Sequence, residues 1–414
     1  MTTPWTYKNN TLIFDNIELE TFAKKVPTPF YLYSSRQLLN NYQEFYHQAL
    51  QNDLPAPLVC FALKSNPNLS LLKTLAKEGA GADIVSVGEL RQALSAGIDP
   101  SKIVFSGVGK RDDEILEALM TGEQGIYSFN VESTEELDDI ITQAKKAKRV
   151  ARIAFRLNPR VNARTHKHIS TGYKTHKFGI LEEDILVSAE KYKDSPYLNF
   201  VGISVHIGSQ LTCMEATVDA LKAASSLSSK LSKIIGHPLE FLDVGGGLGV
   251  DYSPQDKEVL TTPKQYMAMI KDVLEKEMEE LPQRIVFEPG RVISARAGML
   301  VTKVIRKKFS DSHQFIIVDG GMNDFVRTSL YEAYHELMPG IKREGKEQMV
   351  DVVGPICETA DCFAHQRKLT PLEKGDFLGV ADTGAYGFSM ASTYNMRRLP
   401  MEIVVDLEGN WEGQ

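Results

Sequence analysis

From Leu58 onward, short apolar runs alternate with segments whose apolar residues recur every three or four positions. The runs Leu58–Leu63, Ala82–Ser86, Ile103–Ser106, Gly125–Phe129, Val150–Leu157, Phe200–His206, Glu240–Val244 and Arg284–Glu288 read as strands. Most are apolar and β-branched with no polar face, as parallel strands covered by helices are. Helical spacing fills Leu69–Glu78, Gly88–Ala96, Asp112–Thr121, Ser133–Lys146, Glu183–Lys191, Met214–Ile235 and Thr262–Leu281. Eight such units across roughly 250 residues is the size of a (β/α)8 TIM barrel. A doubly wound open sheet is the alternative, because one strand more or fewer changes the architecture.

After about Ser294 the helical spacing largely stops. Met299–Arg306, Gln314–Val318, Met349–Val353, Asp376–Ala381 and Pro400–Asp406 read as strands separated by Gly, Pro and Asp turns. An all-β second domain, sandwich-like or barrel-like, is expected there. Thr11–Glu18 and Pro29–Tyr33 also read as strands that join this β domain before the barrel begins. The expected division is therefore 1–36 with the β domain, 37–294 as the α/β barrel and 295–414 as the C-terminal β domain.

Composition narrows the class. The chain has 414 residues, 43% hydrophobic and 24% charged, which suits a soluble globular protein with ample core. A formal net charge of −7 argues against a nucleic-acid binder that works through an overall basic field. The run Lys145-Lys146-Ala147-Lys148-Arg149 suits the C-terminal end of a helix, where cations complement the dipole. Cys60, Cys213, Cys357 and Cys362 form no C-x-x-C pair, a usage that fits reduced thiols of a cytoplasmic enzyme. No signal peptide is read in Met1 to Lys8, and no apolar run approaches membrane-spanning length. His166 and His168 sit in a polar loop without supporting acids or thiols, so no metal site is expected.

The candidate chemistry lies at the strand ends, where a TIM barrel carries its active site. Strand one ends in Lys64. A lysine closing an apolar run is costly to bury unless its charge is paired or its amine is used chemically. Covalent capture of an aldehyde is such a use; an ammonium turned to water is the plainer reading. Strand two carries Asp83, strand six runs into His206-Ile207-Gly208-Ser209-Gln210, and strand seven into Gly245-Gly246-Gly247-Leu248-Gly249. Strand eight runs into Glu288-Pro289-Gly290-Arg291. Glycine loops after strands seven and eight let backbone N–H groups cradle a phosphate, although one such loop alone is as well explained by a tight turn. An aldehyde-capturing lysine, an acid for a pyridine nitrogen, a histidine to stack on a ring and two phosphate loops are the parts of a pyridoxal 5′-phosphate site. On this reading Lys64 holds the aldehyde, Glu288 the ring nitrogen, His206 the ring face, and Ser209 with the Gly247 backbone the phosphate.

These residues resemble the fold-type III pyridoxal-phosphate decarboxylases, and among them the diaminopimelate decarboxylases, from Thr28-Pro29-Phe30-Tyr31 to about Pro400. The Lys64 motif, Gly81 to Glu89, the His206 motif, the triple glycine and Glu-Pro-Gly-Arg recur there in this order. His166 to Gly172 with Lys177-Phe178-Gly179, Arg327-Thr328-Ser329-Leu330-Tyr331, and Gly354 to Asp361 resemble segments of the diaminopimelate subfamily. The resemblance implies decarboxylation of meso-2,6-diaminopimelate to L-lysine, with Cys357 as the acid that protonates Cα. It also implies a homodimer whose active sites are shared, Cys357 and Glu358 serving the partner. Cofactor contacts are implied for Lys64, Asp83, His206, Ser209, Gly246, Gly247, Glu288, Pro289, Gly290, Arg291 and Tyr386. Substrate contacts are implied for Arg291, Arg327, Tyr331, Glu358 and Tyr386.

The substrate's chemistry is consistent with that set. Its distal end bears a carboxylate, for which arginines are planar charge-assisted donors, and an ammonium, for which Glu358 is the counter-charge. Thr328 stands where the family usually has Pro, Thr359 where Ser is usual, and Ser65 where Ala is common after the lysine. None of these removes a functional group. Competing readings are a decarboxylase of carboxynorspermidine or arginine, and a non-catalytic homologue; the latter typically loses the lysine, the acid or the arginines, all present here.

Overall fold

The computed structural model describes residues 2–161, 177–211, 214–253, 261–311 and 313–413. The chain divides into two compact units. One comprises Tyr42–Gly249 and Glu258–Gly290; the other comprises Met1–Asn41, Val250–Lys257 and Arg291–Gln414. The described residues 250–253, which the sequence places within the barrel, thus group with the β unit, and the N-terminal piece runs to Asn41 where 36 is expected.

The first unit is a closed parallel barrel of eight strands. In chain order they are Leu58–Ala62, Gly81–Ile84, Ile103–Phe105, Ser128–Val131, Ala151–Leu157, Leu198–Val205, Phe241–Asp243 and Arg284–Phe287. The last pairs with the first through Val286↔Leu58 and Phe287↔Val59, which closes the ring and excludes the open sheet. Helices cover the strands, and several start at polar caps legible in the sequence. Asn68 accepts from the Ser70 and Leu71 amides, Ser86 from Glu89 and Ser133 from Glu136. Thr262 and Gln265 close a reciprocal capping box ahead of Pro263–Glu277. That helix stops at Glu277, four residues short of the expected end at Leu281.

Alternation along each strand sorts the barrel interior by depth. Leu58, Cys60, Val104, Ala154, Val201, Phe241 and Val286 form one buried cluster. Two residues further toward the C-terminal end, on the same face, come Ser106 after Val104, Asp243 after Phe241 and Glu288 after Val286. The interior is therefore apolar below and polar at the mouth. Gly202 completes the lower layer, since any Cβ there would run into the Phe241 ring.

The β unit is a nine-stranded mixed sheet and a separate three-stranded sheet. Its long strand Gly298–Ser310 pairs with Phe30–Ser34, Phe377–Val380 and His313–Val318. Phe30–Ser34 lies between Gly298–Ser310 and the parallel strand Met401–Val405, and every residue in it is buried. The N-terminal strand thus joins the β domain as expected. Thr11–Glu18 is not one strand: Asp15 and Asn16, both at positive φ, turn Thr11–Phe14 back onto Ile17–Glu18. Short Asp and Asn side chains tolerate that conformation, so the turn was written in the sequence. The strand Cys362–Leu369 was not anticipated, because its middle is exposed and Gln366 interrupts the alternation at positive φ.

Candidate active site

The strand carrying Lys64 ends at Ala62, one residue earlier than expected, and Lys64 sits in a 3-10 turn, Leu63–Ser65. Its Nζ lies 2.5 Å from Asp83 Oδ2, and its side chain is 32% exposed. The Ala62 amide donates to Pro289 O at 3.1 Å, tying this turn to the loop after strand eight. Gly290 is packed so closely on Ser65 that a Cβ would collide with it. The other Asp83 oxygen, Oδ1, is buried and has no hydrogen-bond partner among the described residues. A buried acceptor left open at a site mouth is a place for a ligand donor.

Behind this pair stands a polar network the sequence reading missed. Asn130 Nδ2 reaches Asp243 Oδ2 at 3.1 Å, Glu288 Oε1 at 3.0 Å and Ser106 Oγ at 3.1 Å. Ser106 Oγ also donates to Glu288 Oε1 at 3.2 Å, and Asp243 Oδ1 accepts the Gly245 amide at 2.9 Å. Burial first, and then the charges of Asp243 and Asp83, push the Glu288 carboxyl well above the usual carboxylate range. Burial pushes Asp243 up to about 6. Asp243 was legible in principle: an acid ending an apolar run is the same signal that drew attention to Lys64. Asn130 carried no comparable signal.

His206 follows strand six. Its Nδ1 accepts the Gly246 amide at 3.1 Å, which leaves that nitrogen without a proton. Burial of the ring, with Arg156 and Lys64 nearby, holds its pKa well below the ordinary value, so the ring is neutral. Arg156 donates to His206 O at 3.3 Å and pairs with Glu132 at 2.5 Å, fixing the loop that carries the ring. The loops after strands six and seven are joined by Leu211 N donating to Gly247 O and Gly249 N to Leu211 O. Ser209 lies in the first of these loops and is partly buried.

The glycines here serve close backbone approach. Gly247 has φ of +101°, and a Cβ on Gly246 would overlap the Glu288 carbonyl oxygen. Gly246→Ala is expected to destabilise the fold by about 1–3 kcal/mol through overpacking and to loosen the loop carrying His206. Thermal unfolding together with cofactor affinity checks this; an unchanged pair of values would show that the loop can yield.

The β unit holds a second cluster. Arg291 is buried, donates from Nη1 to Tyr252 Oη at 3.0 Å and stacks 4.7 Å from the Tyr386 ring centre. Arg327, also buried, lies 4.8 Å from the Tyr252 ring centre. Its Nη1 is 3.2 Å from His335 Nε2. His335 is fully buried and its Nδ1 is 2.8 Å from Ala381 O, so Nδ1 carries the proton and Nε2 accepts from the guanidinium. The Arg327 Nε is buried with no acceptor, and Arg327 forms no ion pair among the described residues. Tyr252, in a segment the sequence reading passed over, packs against both arginines; burial raises its pKa, but the two guanidiniums more than offset this and lower it. Tyr331 closes the turn that begins at Arg327, its amide donating to Arg327 O at 3.0 Å. Tyr386 adopts positive φ.

Cys357 and Glu358 also belong to this unit. Both are exposed: the Cys357 amide donates to Asn395 Oδ1 at 3.0 Å, and Glu358 accepts the Tyr394 hydroxyl. His166 to His176 and Cys213 lie outside the described residues, so the first part of the subfamily segment is not placed.

The donor set fits pyridoxal phosphate: an amine held by an acid, a second acid kept protonated, a neutral imidazole and close-packed glycine loops. Comparison with known proteins agrees. The family described as pyridoxal-dependent decarboxylase, pyridoxal binding domain, matches residues 43–295. Diaminopimelate decarboxylase of Aquifex aeolicus is 41% identical over 403 residues, covering 97% of this chain and 92% of that one. The crystal structure of the Helicobacter pylori diaminopimelate decarboxylase complexed with L-lysine superposes with a TM-score of 0.87 at 40% identity, covering 95% of each chain. That of M. jannaschii, also with L-lysine, gives 0.90 at 33% identity and covers 98% of this chain and 93% of the other. This chain belongs to the diaminopimelate decarboxylase family of pyridoxal-dependent decarboxylases.

Proposed function

We propose that this protein decarboxylates meso-2,6-diaminopimelate to L-lysine and CO2, the last step of lysine biosynthesis. Relatives of nearly equal length bear that name, and two related structures hold L-lysine, the product of the reaction. The observation that carries the substrate choice is the buried arginine pair. A diamine-forming decarboxylase acting on ornithine needs only a partner for the distal amine. Two guanidiniums, one with a buried N–H lacking an acceptor, call for a distal carboxylate as well.

Bound pyridoxal phosphate supplies an aldehyde for the substrate's amine and a ring that draws off the electron pair freed as CO2 leaves. Lys64 provides the amine that holds the aldehyde and yields it to substrate. Glu288 keeps a proton at the ring nitrogen. Neutral His206 covers the ring face without adding a charge that would compete with Glu288. Ser209, Gly247 and Gly290 offer the phosphate a hydroxyl and backbone donors, Gly246 lets the loop come close while its amide holds His206, and Pro289 shapes the last loop. Arg291, Arg327, Tyr331 and Tyr386 take the substrate's carboxylate. Arg291 follows Gly290 directly in the chain, and Tyr252 follows Gly249 by three residues.

Cys357 returns the proton to Cα and Glu358 holds the distal ammonium, each for the partner subunit of a homodimer. Their exposure supports this assignment. The described cysteines Cys60, Cys357 and Cys362 are free thiols, which suits the cytoplasm. Among the described residues no helix is long and apolar enough to cross a membrane.

The test is CO2 release and lysine formation from a panel of meso-diaminopimelate, carboxynorspermidine, arginine, ornithine and lysine. Preference for any other member overturns the assignment. Within it, Arg327→Ala is expected to weaken meso-diaminopimelate by ~1.5–3 kcal/mol, roughly 10- to 100-fold in KM, and to leave cofactor affinity nearly unchanged. Unaltered KM and kcat would remove Arg327 from the substrate pocket.

A further inference from the structure

Asp243 is wholly buried at the end of strand seven, yet the reaction as assigned gives it no task. Its surroundings are specific. Oδ1 is taken by the Gly245 amide and Oδ2 by Asn130, so both oxygens face donors and the group is held as an acceptor. The same Asn130 nitrogen reaches Asp243 Oδ2 at 3.1 Å and Glu288 Oε1 at 3.0 Å, so one amide bridges the two acids. Two buried carboxyl groups bridged in this way in the barrel interior are not both ionised, and they hold one proton between them. Asn130 has two N–H hydrogens for three nearby acceptors, Asp243, Glu288 and the Ser106 oxygen. Ser106 therefore turns its own hydroxyl hydrogen to Glu288 Oε1. The remaining charged groups facing the pair are Asp83 and Lys64, which already balance each other at 2.5 Å.

We infer that Asp243 and Glu288 form a proton-sharing pair, positioned by Asn130, that stores the proton which the cofactor's ring nitrogen takes up on binding. Before binding, Glu288 is the carboxylic acid and Asp243 the carboxylate, because Asp243 has the stronger donors. On binding, the Glu288 O–H bond breaks, an N–H bond forms at the ring nitrogen, and the electron pair stays on the Glu288 oxygen. Asp243 remains a carboxylate throughout. The total charge is unchanged, so the ring is protonated without drawing a proton through the closed barrel floor. Asp243 is a positioning residue: it touches Glu288, not the cofactor. The inference rests on the assignment of Glu288 to the ring nitrogen.

The experiment uses the full-length chain stripped of cofactor and the probe 4-deoxypyridoxine 5′-phosphate, which has no aldehyde for Lys64. Ring protonation is read from its absorbance, and proton exchange from calorimetry in buffers of differing ionisation enthalpy. The wild-type protein is expected to bind the probe with its ring protonated and to take no proton from solvent for it. Asp243→Asn removes the neighbouring charge and offers an amide donor, so Glu288 ionises before binding and uptake rises by about one proton. Equal uptake in the two proteins overturns the inference. Infrared spectroscopy keeps the idea falsifiable should Asp243→Asn fold poorly. The wild-type protein should show a protonated-carboxyl stretch that the probe abolishes and that Glu288→Gln lacks; its absence overturns the shared proton. A probe bound with an unprotonated ring, with the carboxyl band intact, overturns instead the role given to Glu288.

Discussion

Lys64→Ala is expected to reduce decarboxylation to background while the protein stays folded and binds pyridoxal phosphate weakly. Lys64 alone presents an amine at the strand-one turn, held at 2.5 Å by Asp83. Its removal costs the enzyme both the group that captures the aldehyde and the group that exchanges it for substrate. It also leaves the Asp83 carboxylate buried with neither oxygen paired, since Oδ1 already lacks a partner. That loss is expected to lower unfolding stability by ~1–3 kcal/mol, discounted toward the low end because the Lys64 side chain is 32% exposed. Borohydride reduction of the cofactor-loaded mutant followed by peptide mapping is the decisive measurement. A trapped adduct on another lysine would show that Lys64 is not the residue that holds the aldehyde.

Mixing two inactive proteins, Lys64→Ala and Cys357→Ala, is expected to restore activity. With shared sites, each mixed dimer holds one site with both lesions and one with neither, and random pairing gives about a quarter of wild-type turnover. The motivation is geometric: Cys357 and Glu358 are exposed, and their hydrogen bonds with Asn395 and Tyr394 leave both side chains at the surface of their own chain. Subunit exchange is verified with differently tagged chains. If exchange is complete and the mixture stays inactive, each site is built within one chain.

The barrel was legible because its signal is local. Each apolar run is short, four of the helices have a side-chain cap immediately before their first turn (Asn68, Ser86, Ser133 and Thr262), and periodicity needs only near neighbours to be read. Lys64, His206 and Glu288 stood out for the same reason, each being a polar residue at the end of a run that is otherwise apolar, and Asp83 stood out as an acid within such a run. The glycine loops were visible, but their reason was not. Gly246 is required by the carbonyl of Glu288, forty-two residues later in the chain, and no spacing rule reports that.

What the sequence by itself determined, then, is the order of the barrel's elements, their strand ends and the amine, acids and loops placed on them. Only the tertiary structure decided which of these groups meet. Asn130 became the bridge between Asp243 and Glu288 because barrel closure brings strands four, seven and eight around one interior. Tyr252 became the partner of Arg291 and Arg327 because residues 250–253 fold with the β unit rather than with the barrel on either side of them in sequence. The physical reason is the same in both cases. Period and propensity act between neighbours in the chain, whereas a buried charge is held by whatever donors the packing delivers, and packing is settled by contacts scores of residues apart.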